Sequence, residues 1–395
     1  MSKDARIISL IAIGHAMSHF MQLALAPLFP MMRDELGVSY AVLGSVLMVF
    51  FTVSALLQPL AGFVVDRFGG RNVLLGGLAL MVAGALMMSF ARGPAMLFAA
   101  AVVSGTGNCV FHPADFSILN GTVTQKRLGH AFSTHGVAGM LGYAAAPVFS
   151  AVVGSAYGWH NALLAAAGLV FIVLVLIGAN AKLFVVHGEA TKKRDTGPVD
   201  ARVLLAIPVM MCFAFFTLHA AGLGALQQFG VSAMKEFFNV GTGLASSALT
   251  AYILGSAAGM LAGGFVTTRF TRYDRVAASG FAVASANALV IALGIIPGAA
   301  LPVILAVSGL AIGITYPSRD LIVRAATPPG ATGRIFGFVY SGLELGSLAR
   351  PVLCGWLMDH GHPEGIFYIV FACTIAAILT VLQLPARRQP AIQRT

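Results

Sequence analysis

Apolar runs of about twenty residues recur along almost the whole of this chain, and that feature removes most folds open to 395 residues. A bilayer core about 30 Å thick takes about 20 apolar residues per helical crossing. Backbone groups in hydrocarbon must bond internally, so a span is a helix or part of a closed barrel. The runs here are unbroken rather than alternating, which excludes a barrel. They fall at 7–30, 40–65, 73–90, 95–118, 130–154, 161–181, 203–226, 244–267, 276–297, 302–325, 334–357 and 366–384. Only 10% of residues are charged, against about 25% in a soluble domain. The expected fold is an all-α membrane protein with twelve transmembrane helices. The first run follows Lys3 and Arg6 and is long and polar in its middle, so it is read as a retained helix rather than a cleaved leader.

The basic residues orient these spans. With both termini on the cytoplasmic side, nineteen of the 24 Lys and Arg fall in cytoplasmic segments. Only Arg33, Arg92 and Lys235 fall outside, and Arg319 and Arg350 lie within spans. This asymmetry is the positive-inside pattern of a bacterial inner-membrane protein. It explains the net charge of +10 without a nucleic-acid partner. Trp159 and Trp356 both fall at outer helix ends, where an aromatic belt is expected. The cysteines, Cys109, Cys212, Cys354 and Cys373, lie inside apolar runs and read as packing residues. No cofactor motif is present. The charged stretch 182–202 reads as a solvated cytoplasmic linker between a bundle over 1–181 and a second over 203–395 with its short tail.

The two segments repeat one another. Gly62-Phe63-Val64-Val65-Asp66-Arg67-Phe68 recurs as Gly264-Phe265-Val266-Thr267-Thr268-Arg269-Phe270. Ser104-Gly105 recurs as Ser308-Gly309, Pro113 as Pro317, and Gly129 and Phe132 as Gly333 and Phe336. Gly142 and Pro147 recur as Gly346 and Pro351. Two pseudo-symmetric six-helix bundles are the arrangement of a transporter that binds its substrate near the midplane between them. Pro113 and Pro317 each remove one helical hydrogen bond and are expected to let the fourth and tenth spans bend, whether to shape a cavity or only to fit the core.

Gly62 to Arg71 resembles the cytoplasmic signature of the major facilitator superfamily. The resemblance implies that Gly62 permits close helix contact, while Asp66, Arg67 and Arg71 join a cytoplasmic latch. The second copy has Thr268 in place of the aspartate, which implies an asymmetric latch. Ser18-His19, Leu57-Gln58-Pro59-Leu60, Gly105-Thr106-Gly107 and Val110-Phe111-His112-Pro113 are similar to the fosmidomycin-resistance group, mainly over the first half. That narrower resemblance implies a drug exporter or related carrier exchanging substrate for protons. Ala114 and Ala101 stand where relatives often carry a glutamate and an arginine.

Ionisable residues at membrane depth are costly and tend to face a cavity or a partner. Glu344, near the middle of the eleventh span, is the first choice for a proton carrier, against a structural pair with Arg350. Asp115 aligns with Arg319 under the repeat, so the two are expected as an inner gate; a permanent packing pair, or a local Arg319–Asp320 pair, is the competing reading. His15 and His19 share one helix face. That is also ligand spacing, but no Glu or Cys accompanies them, so no metal is expected. His19 and Gln22, with Asn108 and His112 on the fourth span, are expected to line the substrate cavity, with His135 a weaker member. Interhelical packing is the competing reading for His112. Proton coupling is assigned to Glu344, Asp115 and His19.

These features lead to a secondary transporter, not an enzyme, that moves a small organic solute by alternating access. Proton-coupled efflux of a drug-like, anionic or zwitterionic compound is the first reading, and proton-coupled uptake of an organic acid or metabolite the second. No phosphate-binding loop suggests ATP drive. A non-transporting sensor would need a soluble domain that the sequence lacks. The expected partners are the small-molecule substrate, protons and the lipid bilayer, with the monomer as the functional unit.

Overall fold

The computed structural model describes residues 2–184, 204–270, 272–327, 332–348 and 350–383, and most of the anticipated linker lies outside them. The chain is helical nearly throughout. In order come α1 (Lys3–Ala24), α2 (Phe29–Leu36), α3 (Tyr40–Phe68), α4 (Gly70–Ser89), α5 (Pro94–Asn108), α6 (Phe111–Thr122) and α7 (Leu128–Ala179). They are followed by α8 (Ile207–Phe238), α9 (Thr242–Arg269), α10 (Tyr273–Ala292), α11 (Leu301–Ala326), α12 (Thr332–Leu348), α13 (Arg350–Asp359) and α14 (Gly365–Leu382).

Ten helical stretches among the described residues are long and apolar enough to cross a membrane. The other two crossings follow from geometry. α7 has 52 residues, about 78 Å if straight at 1.5 Å per residue, far more than one bilayer core. It turns at Gly158, whose φ of 82° and ψ of 162° lie in a region other residues rarely enter. The fifth and sixth spans therefore meet at one glycine. α12 and α13 together occupy the expected eleventh span, either side of position 349. Twelve crossings result.

Between helices in lipid there is little hydrophobic driving force, so close approach depends on small residues. A Cβ on Gly142 of α7 would overlap the Ala16 carbonyl of α1, and one on Gly105 of α5 would stand 2.6 Å from the Phe50 carbonyl oxygen of α3. The second copy repeats both contacts: Gly346 of α12 meets the Thr217 carbonyl of α8, and Gly309 of α11 meets that of Tyr252 on α9. The repeat thus extends from residue identity to packing.

Contacts group the chain into two compact units. The first comprises Met1–Lys192 with Gln227–Thr250 and Pro351–His362; its apolar core includes Ile7, Ile11, Leu74, Leu78, Phe111 and Ile177. The second comprises Lys193–Leu226, Ala251–Arg350 and Pro363–Thr395, with a core that includes Phe216, Phe281, Ile312 and Ala377.

Within the first unit, the N–H groups of Tyr40, Ala41 and Val42 at the start of α3, which helix geometry leaves without intrahelical partners, are all satisfied. Tyr40 N donates to Asp359 Oδ1 at 2.7 Å and Ala41 N to Asp359 Oδ2 at 2.8 Å. Val42 N donates to Ser39 Oγ at 3.2 Å and Leu43 N to the Ser39 carbonyl at 3.2 Å. Beside this cap, Glu236 Oε1 accepts from Tyr40 Oη at 2.6 Å and from Arg33 at 3.1 Å. Two segments of the second repeat, the end of α8 and the end of α13, are thereby tied to the start of α3.

One expectation needs correction. Trp159 is only 1% exposed; its indole donates to Glu35 Oε2 at 2.8 Å, so it is an internal anchor, whereas Trp356 is exposed. Within its unit, Gly62 has open space where a Cβ would stand. The close approach in that motif occurs at Gly70, which faces the Ala114 carbonyl and Ile118 of α6. The fourth span is interrupted at Cys109–Val110, just ahead of Pro113, and α11 continues as helix through Pro317.

Candidate functional site

The interruption between α5 and α6 sets His112 and Asp115 on a short helix distinct from the one carrying Asn108. Two neighbouring polar groups form in the first unit, one on each side of this interruption.

The first is a hydrogen-bonded cluster. Asn108 Oδ1 accepts from Ser18 Oγ at 2.9 Å and from Gln22 Nε2 at 3.0 Å, while Asn108 Nδ2 donates to Ser54 Oγ at 2.8 Å. Tyr143 Oη donates to Gln22 Oε1 at 2.6 Å. Four spans contribute to one connected network. A cavity next to Gln22 is walled by Met21, Leu25, Leu47, Phe50, Met81 and Ser104. It offers an apolar compartment beside the amides.

The second group is histidine-rich. Asp115 is fully buried, and its Oδ2 lies 3.0 Å from His135 Nε2 and 3.6 Å from His15 Nδ1. The His15 and His135 rings stack with centroids 3.5 Å apart. His112 stands 5.1 Å from His15, centroid to centroid, and is itself exposed. The His19 ring packs edge-on against His15 and Tyr143, each at 4.4 Å. A carboxylate buried with imidazoles rather than a lysine or arginine depends on groups whose charge changes with one proton.

Gly139 makes the arrangement possible. A Cβ there would lie 3.0 Å from His15 Nε2 and 3.2 Å from His19 Cδ2. The bare backbone of α7 leaves room for both rings.

The structure brings His19, Gln22, Asn108, His112 and His135 into one region, and Asp115, which the sequence reading set opposite Arg319, lies there too. His135, ranked weakest, is the residue most closely bound to Asp115. The network also includes Ser54 and Tyr143, which sequence reasoning missed; a tyrosine between the paired glycines and prolines of the fifth span was the available signal. Arg319 Nε donates to Asp320 Oδ1 at 3.2 Å, the local pair weighed against the gate, and its guanidinium lies over Phe216 and Tyr316. The Glu344 side chain lies outside the described residues, although α12 is helical through that position. Asp66 and Arg67 are exposed at the end of α3, and Arg71 Nε donates to Asn72 Oδ1 at 3.1 Å. Arg350 is buried and donates to the Ala220 carbonyl at 2.7 Å.

Comparison with known proteins identifies the family. The family model described as Major Facilitator Superfamily matches residues 11–232 and 211–394. The chain is 25% identical over 394 residues to the fosmidomycin resistance protein of Escherichia coli, covering 97% of this chain and 93% of that one. The resemblance read mainly in the first half therefore extends along both. It is 24% identical over 387 residues to the multidrug resistance protein MdtH of Aeromonas salmonicida, covering 91% and 90%. Among solved structures, the nucleoside transporter NupG superposes with a TM-score of 0.77 at 16% identity, over 97% of this chain and all of that one.

Proposed function

Because the chain belongs to the Major Facilitator Superfamily, and is therefore a membrane transporter rather than an enzyme, we propose that it exports a small amphiphilic organic solute in exchange for protons. The observation that carries this reading is the partly buried network of Ser18, Gln22, Asn108, Ser54 and Tyr143 beside an apolar cavity. Buried amides and hydroxyls at membrane depth are expensive unless satisfied. Here they satisfy one another, and a polar solute can exchange for those bonds while its apolar part enters the neighbouring cavity. The drug-resistance names of two relatives support export over uptake. The charge asymmetry supports cytoplasmic termini in an inner membrane.

Alternating access follows if the two repeats rock about the midplane site. His19 and Gln22 on α1, and Asn108 and His112 on the fourth span, contact the solute from the first repeat. Glu344 on α12 supplies the proton-carrying carboxylate from the second. Asp66, Arg67 and Arg71 close the cytoplasmic end. Asp115 binds His135 and holds the histidine group in place.

Proteoliposomes with the protein in known orientation test the reading. A solute found by thermal-shift screening of phosphonates, organic acids and antibiotics should move against its gradient when the compartment it enters is acidic. Movement that ignores the pH gradient removes proton exchange. Accumulation in the compartment corresponding to the cytoplasm shows uptake instead.

A further inference from the structure

The histidines beside Asp115 have a geometry that hydrogen bonding alone does not require. One ring nitrogen each from His15, His112 and His135 lie within 4.8 Å of one another. The three residues come from α1, α6 and α7, so no spacing along the sequence produces the set. Both ring nitrogens of His19 and the Oδ1 of Asp115 are buried without a hydrogen-bond partner. Unsatisfied buried polar atoms are costly, and each calls for an explanation such as an absent ion.

The geometry points to a binding site for a late first-row divalent cation, with Zn2+ as the representative, formed by His15, His112 and His135. Zn–N bonds of about 2.0–2.1 Å in a tetrahedral shell put ligand nitrogens about 3.3 Å apart. The triad therefore closes by about 1.5 Å or less per pair, within the reach of small ring rotations. Imidazole nitrogens suit Zn2+, Ni2+ or Cu2+, whereas Mg2+ and Ca2+ prefer oxygen ligands. The Asp115 carboxylate, 3.0 Å from His135, takes the position that carboxylates commonly hold behind ligating histidines, where they fix ring orientation. It also supplies a buried negative charge to a dication. His112 is exposed and gives an entry path. His19 stands next to His15, outside the grouped nitrogens, and a water would complete the shell. Gly139 leaves the space that the rings need. The inference concerns the cation alone and does not depend on the organic solute or the direction of transport.

Full-length protein purified in detergent through an affinity tag without histidine tests it. Calorimetric titration with Zn2+ should give one cation per chain. X-ray absorption of the loaded protein should show outer-shell scattering from about three imidazoles. His112→Ala, at an exposed position, should weaken binding at least tenfold with an unchanged thermal midpoint. Asp115→Asn should weaken it by about 10–100-fold, and His130→Ala, outside the cluster, should leave it unchanged. Absence of binding, a spectrum without imidazole scattering, or equal affinity in wild type and His112→Ala overturns the site.

Discussion

Replacing Asp359 by alanine tests whether the cap on α3 holds one conformation of this transporter. The carboxylate accepts two backbone N–H groups, from Tyr40 and Ala41, and faces the positive end of a 29-residue helix. Hydrogen bonds to charged groups contribute about 1.5–3 kcal/mol. Asp359 is exposed, so water can reach the freed N–H groups, and the low end applies to the pair together. With about 0.5 kcal/mol from the helix dipole, the loss is about 2 kcal/mol, or roughly 30-fold in the equilibrium between joined and separated ends. Asp359→Asn keeps one acceptor oxygen and should lose about half of that, roughly fivefold. Val46 is buried beside the cavity near Gln22. A cysteine at that position, in a background free of other cysteines, reports opening through its reaction with a membrane-impermeant maleimide. Its rate should rise in the order wild type, Asp359→Asn, Asp359→Ala. Equal rates in all three, or equal rates in the two variants, refute the reasoning.

The site makes further demands. Gly139→Val should push the His15 and His19 rings aside and cost about 1–3 kcal/mol, read as a lower thermal midpoint and lost Zn2+ binding. Asn108→Leu deprives Ser18, Gln22 and Ser54 of a partner at once, so stability should fall by about 2–4 kcal/mol, and solute should no longer raise the midpoint. Glu344→Gln should leave solute exchange intact in proteoliposomes while abolishing its response to a pH gradient; a retained response refutes the carrier role. Gly158→Ala forces a side chain into a backbone region that costs about 1–3 kcal/mol, measured by chemical unfolding in detergent.

How far the sequence reached depends on the length scale of each feature. Apolar runs and basic flanks are local, so the spans were legible residue by residue. The repeat was legible because each copy solves the same packing problem, as the contacts of Gly142 and Gly346 show. Relations across helices were not legible. Whether His15 turns toward His19's neighbours or toward His135 is decided by the register of α1 on α7, set at Gly139 and Gly142. The expected metal-free pair of His15 and His19 counted neighbours along one helix, while the three grouped nitrogens come from three helices. Trp159 was misplaced for the same reason: an outer helix end does not reveal that Glu35 waits to bind the indole.

The turn at Gly158 has a mechanical consequence. Ordinary loops let consecutive spans slide or tilt independently, but two helices joined through one residue share a pivot without slack. Displacement of the fifth span, which carries His135 and Tyr143, is therefore transmitted to the sixth with little loss. A shift of the fifth span at Tyr143 would swing the sixth span about Gly158.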